Sequence, residues 1–154
     1  MNSIFLALEQ LRTQLSQALP ATPGIRHFDV SFPLNDAFDP LAWLGAQQCY
    51  PQFYWQQRNG DEELAALGAV ITFSSLALAT QFLREQNAAG DTRICGLNAF
   101  NPEQGSLFLP RLLWRRTAGT ATLRLQLWSD YSLQEDAHAA RGFLQRLQPA
   151  RPIR

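Results

Sequence analysis

The pair Asn59-Gly60 stands between two dense runs, Phe53-Tyr54-Trp55-Gln56-Gln57-Arg58 before it and Leu64 to Phe73 after it. Asparagine and glycine enter the left-handed backbone region at least cost, and a type I′ turn needs that conformation at both central residues. The sequence therefore predicts a β-hairpin here, which commits the chain to antiparallel pairing. The second arm is apolar on both faces, the pattern of a central strand covered on each side. Asp61, Glu62 and Glu63 crowd the turn and read as three solvated charges.

The flanking segments fill out the fold. Phe5, Leu8, Leu11, Leu15 and Leu19 recur at helical spacing, which predicts an amphipathic helix over 4–19, ended by Pro20 and Pro23. In the strand Gly24 to Phe32 that follows, Phe28, Val30 and Phe32 share one face. Asp39 before Pro40 opens a short helix, with Asp36 as a turn residue. Ser74 or Ser75 caps a helix to about Gln86 that buries Leu76, Ala79, Phe82 and Leu83, and Asn87 to Gly90 stops it. Arg93 to Phe100 reads as a strand. Ser106 to Arg116 is a further arm whose Pro110 implies an edge or a bulge. Ala118-Gly119 turns the chain into Thr120 to Trp128, where Leu123, Leu125 and Leu127 alternate with Arg124 and Gln126. Ser132 and Glu135 form a capping box for a last helix burying Ala137, Ala140, Phe143, Leu144 and Leu147. The expectation is an α+β domain over 1–147, with an antiparallel sheet and about four helices. Residues 148–154 read as a linker remnant.

With 154 residues, 46% of them hydrophobic, the chain can bury one domain core. Its net charge is zero, which gives no electrostatic reason for nucleic acid or an anionic membrane as a partner. No apolar run is long enough to span a bilayer and no secretory signal opens the chain, so a cytoplasmic location is expected. All 13 basic residues are arginine, and the lack of lysine removes Schiff-base chemistry, a phosphate-loop lysine and a lysine general base together.

Other chemistry is equally thin. His27, in a strand, and His138, in the last helix, would have to meet in space to act as a pair, and structural roles are expected for both. Cys49 and Cys95 make no metal spacing and are expected to be reduced. The glycines are scattered singly, so no phosphate loop exists. Trp114-Arg115-Arg116 does not form one basic patch, because neighbours in a strand point to opposite faces. The aromatic run Tyr50, Phe53, Tyr54, Trp55 could line a pocket, but core packing is the preferred reading. On these grounds no catalytic, cofactor-binding or metal-ligating residue is assigned.

A longer pattern carries further. Ala21-Thr22-Pro23-Gly24-Ile25-Arg26, Phe32-Pro33-Leu34 with Asp36-Ala37-Phe38, and Tyr50-Pro51-Gln52-Phe53 through Asp61-Glu62-Glu63 together resemble the start of menaquinone-specific isochorismate synthase. Gly96-Leu97-Asn98-Ala99-Phe100, Leu109-Pro110-Arg111-Leu112, Trp114-Arg115-Arg116 and Ala121-Thr122-Leu123-Arg124-Leu125 fit the same family. The resemblance runs from the first helix to about Leu147. It implies the N-terminal portion of the chorismate-utilising enzyme fold and, for the complete enzyme, conversion of chorismate to isochorismate with magnesium. In that family a lysine base and the acidic groups lie in the C-terminal chorismate-binding part, so the resemblance implies a supporting domain that is inactive alone. The implied partner is that C-terminal part, and an apolar surface left uncovered would favour self-association. The alternative is an independent ligand-binding or protein-interaction module, with Arg26, Arg111 and Arg115 as candidate carboxylate partners.

Overall fold

Ten elements follow one another in the predicted order in a computed structural model, which describes residues 3–17, 19–33, 38–88, 92–97 and 106–147. They are α1 (Ser3–Leu15), β1 (Gly24–Pro33), α2 (Pro40–Gly45), β2 (Gln52–Gln56), β3 (Glu62–Phe73), α3 (Leu76–Glu85), β4 (Cys95–Leu97), β5 (Ser106–Thr117), β6 (Thr120–Ser129) and α4 (Leu133–Gln145). The strands form one antiparallel sheet in the order β1-β6-β5-β3-β2, with β4 added beside the start of β5. The fold is α+β, as expected. Asp36, residues 98–100 of the predicted fourth strand, Gly90 and the linker 148–154 lie outside the described residues.

β3 is an inner strand, held between β2 and β5. Alternation sends Ala65 and Leu67 into the main core and Leu64 and Ala66 into a second cluster with Cys95, Phe108 and Leu113. The main core joins Leu112, Trp114, Leu123, Leu125 and Leu127 of the sheet to α1, α2 and α4. A third cluster seats Ala79 and Phe82 of α3 on Phe73, Leu107 and Leu109.

Several sequence expectations are corrected by tertiary geometry. Asn59-Gly60 does not form a type I′ turn. Gly60 alone has positive φ (81°), and residues 58–61 make a four-residue connection closed by Gln57 N–H to Glu62 O at 2.8 Å. The Asn59 side chain organises it, accepting from Asp61 N–H at 3.1 Å. Two positive φ angles occur instead at Ala118 (49°) and Gly119 (82°), where Thr117 pairs directly with Thr120. In α1 the buried stripe is Ile4, Ala7, Leu8, Leu11 and Leu15, while Phe5 is 51% exposed and the helix stops before Leu19. Leu76 is also exposed, because it opens the first turn of α3, ahead of the residues that meet the sheet. The Ser132 cap accepts from Glu135 N–H, but Ser129 Oγ, not Glu135, satisfies the Ser132 N–H at 2.8 Å.

Pro110 lies in an inner strand, not at an edge. The bulge half of that expectation holds on the neighbouring strand: register shifts between Ala69 and Ile71, opposite Pro110 and Leu109. Proline brings no N–H to the ladder, and side chains supply polar contacts there. Gln126 Nε2 donates to Pro110 O at 2.8 Å, and Arg111 Nη1 donates to Gln126 O at 3.0 Å.

Candidate functional site

A cleft of about 1150 Å³ lies between α2 and α4. Asp39 caps α2 by accepting from Leu41 and Ala42 N–H, and Trp43 and Leu44 anchor the helix in the core. That anchoring leaves Ala42, Gly45 and Ala46 as one wall of the cleft, facing Ala139, Phe143 and Arg146 of α4. Gly68, Ala69 and Arg111 line its base, and Gln48, Cys49 and Tyr50 its rim.

Gly68 is fixed by geometry. Its φ of +75° is left-handed, and a Cβ there would come 2.7 Å from Phe143 Cε2. Its N–H donates to Pro51 O at 2.9 Å, which ties the rim to β3. Beside it, Arg111 is 8% exposed and spends its guanidinium inside the protein. Nη1 and Nη2 donate to the two Asp136 oxygens at 2.8 and 3.0 Å, and Asp136 Oδ2 also accepts from Trp128 N–H at 2.8 Å. This fork joins the start of α4 to β5 and β6.

Of the sequence-derived candidates, Arg111 lines this cleft and is already paired. Arg115 lines a smaller polar pocket of about 180 Å³ with Arg93, Arg124, Asp29, Ser31 and Thr122. Its charge is met by Glu62 at 2.8 Å, Glu62 also meets Arg93 at 3.5 Å, and Asp29 holds Arg124 at 2.7 Å. Arg26 is exposed on β1 and lines neither. The three arginines named as carboxylate partners are therefore not brought together in either concavity. His27 and His138 do not form a pair either: both are exposed, His27 lies 3.9 Å from Asp29, and His138 is on α4.

Glu62 and Glu63 are not the solvated turn charges expected. The register of β3 on β5 sets them against Arg115 and Arg116, whose opposite directions match those of the two glutamates. Glu63 accepts both from Arg116 Nε at 3.0 Å and from Tyr54 Oη. Burial, followed by that bond to Glu63, pushes the Tyr54 hydroxyl up to about 12. Phe53 and Tyr54 are partly buried, as the core reading requires, but Tyr50 is 74% and Trp55 39% exposed. Cys95 is buried and desolvation lifts its thiol to about 12; Cys49, partly exposed, is raised by the same cause. Both thiols are free.

Sequence reasoning missed Asp136 and the Asp29–Arg124 pair. Their only signal is alternation: Arg124 and Gln126 interrupt a leucine strand as polar residues on a shared face. Asp29 is 95 positions away from Arg124, and only the β1–β6 register reveals it. Among the described residues no three His, Cys, Asp or Glu side chains gather as metal ligands, and Asp29, Glu62, Glu63 and Asp136 each face an arginine. The implied magnesium therefore finds no fitting donor set among them. Nor is any helix among them long and apolar enough to cross a membrane.

No protein-family profile matches the chain. Its sequence is 58% identical over 153 residues to isochorismate synthase MenF of Escherichia coli, covering 99% of this chain and 36% of that protein. The Haemophilus influenzae isochorismate synthase MenF is 41% identical over 86 residues, 55% of this chain and 19% of that protein. The solved structure of the E. coli menaquinone-specific isochorismate synthase MenF superposes with a TM-score of 0.94 at 57% identity. It too is covered over 36% of its length by 99% of this chain. The chain thus spans about a third of the E. coli relative, and sequence and fold together place it in the menaquinone-specific isochorismate synthase family, as the counterpart of the N-terminal part of MenF.

Proposed function

We propose that this chain is the N-terminal support of an isochorismate synthase, the enzyme that converts chorismate to isochorismate for menaquinone biosynthesis, and that it is inactive alone. The agreement with MenF over 99% of the chain carries the reading. The chain contains no lysine, so the lysine base associated with the family must come from elsewhere in the enzyme. Among the described residues Arg111, Arg115, Arg116 and Arg124 are held by Asp136, Glu62, Glu63 and Asp29, which suits a rigid scaffold. In this reading magnesium is held by the chorismate-binding part and supplies charge stabilisation there. The partner of this chain is that same part, and the setting is the cytoplasm.

The test is chorismate turnover with magnesium, for this chain alone and mixed with the separately produced chorismate-binding part. Turnover only in the mixture is the expected result. A chorismate-binding part equally active without this chain would end the support role. Self-association is the expected behaviour of the chain alone, given exposed Leu41 and Tyr50 near the cleft and exposed Leu76 and Leu78 on α3. A strictly monomeric species in analytical ultracentrifugation would remove it.

A further inference from the structure

The α2–α4 cleft is wide, and small residues Ala42, Gly45 and Ala46 form one side of it, facing Ala139, Phe143 and Arg146. Such a wall admits the close approach of another backbone, which long side chains would block. The rim is solvent-facing and mixed, Gln48 and Cys49 beside a Tyr50 that is 74% exposed, and Leu41, at the start of α2 nearby, is 56% exposed. One charge stands at the mouth: Arg146 is exposed and has no ion-pair partner among the described residues. Arg146 is also the C-cap of α4, so the polypeptide leaves that helix beside the cleft. The small polar pocket on the sheet is a poorer docking face, because its arginines already meet Glu62 and Asp29.

Resting on the support role proposed above, we infer that this cleft is where the chorismate-binding part docks, through an apolar segment that brings an acidic side chain to Arg146. Most of the length of MenF lies outside the region this chain matches, so the occupant is supplied by the same enzyme.

Two probes already sit at the cleft. Cys49 is a partly exposed thiol on its rim, with Cys95 as a buried internal control. Gly45 is exposed, and a Cβ there meets nothing within 4 Å, so Gly45→Gln projects into the cleft without a clash inside this chain. The experiment compares maleimide labelling of Cys49 in this chain and in the same chain continued through the remaining part of MenF, with chorismate turnover measured on the longer protein. The expected result is labelling at least ten times slower in the longer protein. Gly45→Gln is expected to leave the melting temperature of the short chain unchanged and to lower that of the longer one. Turnover accompanied by Cys49 labelling as fast as in the short chain overturns the docking site and leaves the support role standing. Protection of Cys49 without turnover supports the docking and counts against the function. Equal melting temperatures for the longer protein with and without Gly45→Gln also overturn the site.

Discussion

Gly68 shows how much one residue without a side chain can fix. Its left-handed backbone and the Phe143 ring 2.7 Å from any Cβ leave no room for a methyl group. Gly68→Ala should therefore cost about 2–4 kcal/mol, combining backbone strain with overpacking. Urea unfolding of Gly68→Ala, alone and with Phe143→Leu, checks this: the second change should recover part of the loss. The Arg111–Asp136 fork gives a second test at this scale. Asp136→Ala strands a buried guanidinium and the Trp128 N–H, and should cost about 3–5 kcal/mol. A loss below 1 kcal/mol would show that water replaces the carboxylate. Tyr54 supplies a pH signature. Its folded-state value of about 12 lies above the ordinary 10, so its contribution is intact below pH 10 and lost as pH rises through 12. Absorbance titration should show a tyrosine step near pH 12, and Tyr54→Phe should remove that step while leaving the raised ionisation of Tyr131 in place.

At the scale of elements, patterning was legible and pairing was not. The order and number of helices and strands follow from periodicity, caps and turn residues, each local in sequence. Asp39 and Ser75 cap as their positions require, accepting from Leu41 and Leu78 N–H. The type I′ angles, however, fall at Ala118-Gly119, because the strict two-residue connection of β5 to β6 demands them there. Ala118 thus holds a left-handed angle that alanine tolerates poorly, and Ala118→Asn should stabilise the protein by about 0.5–1 kcal/mol in thermal unfolding. Pro110 is legible only in part: a lone proline signals an interrupted ladder but cannot say that Gln126 and Arg111 fill the gap. Likewise Glu62 and Glu63 look solvated, as Asp61 is, until β5 brings two arginines alongside them. The cleft was the least legible feature. Of the residues that line it, sequence reading singled out Tyr50 and Arg111 as candidates, because Ala42, Gly45, Ala46 and Ala139 carry no chemistry of their own.

For the whole molecule, the two thiols separate local from global opening. Cys95 lies in the cluster around Leu64, Phe108 and Leu113, while Cys49 sits on the cleft rim. At mildly alkaline pH a thiol reagent should modify Cys49 in the native protein and reach Cys95 only at the rate of opening that exposes its cluster. Equal rates for both would mean that β4 lifts off without unfolding. The order β1-β6-β5-β3-β2 carries a consequence for biosynthesis. Gly24–Pro33 emerges early, yet its sheet partner is Thr120–Ser129, nearly a hundred residues later. Until that strand leaves the ribosome, β1 has no edge to join and Phe28, Val30 and Phe32 have no sheet to complete. A nascent chain halted before residue 120 should therefore hold the β2–β3 hairpin at most, and protease resistance should first appear once β6 has cleared the ribosome.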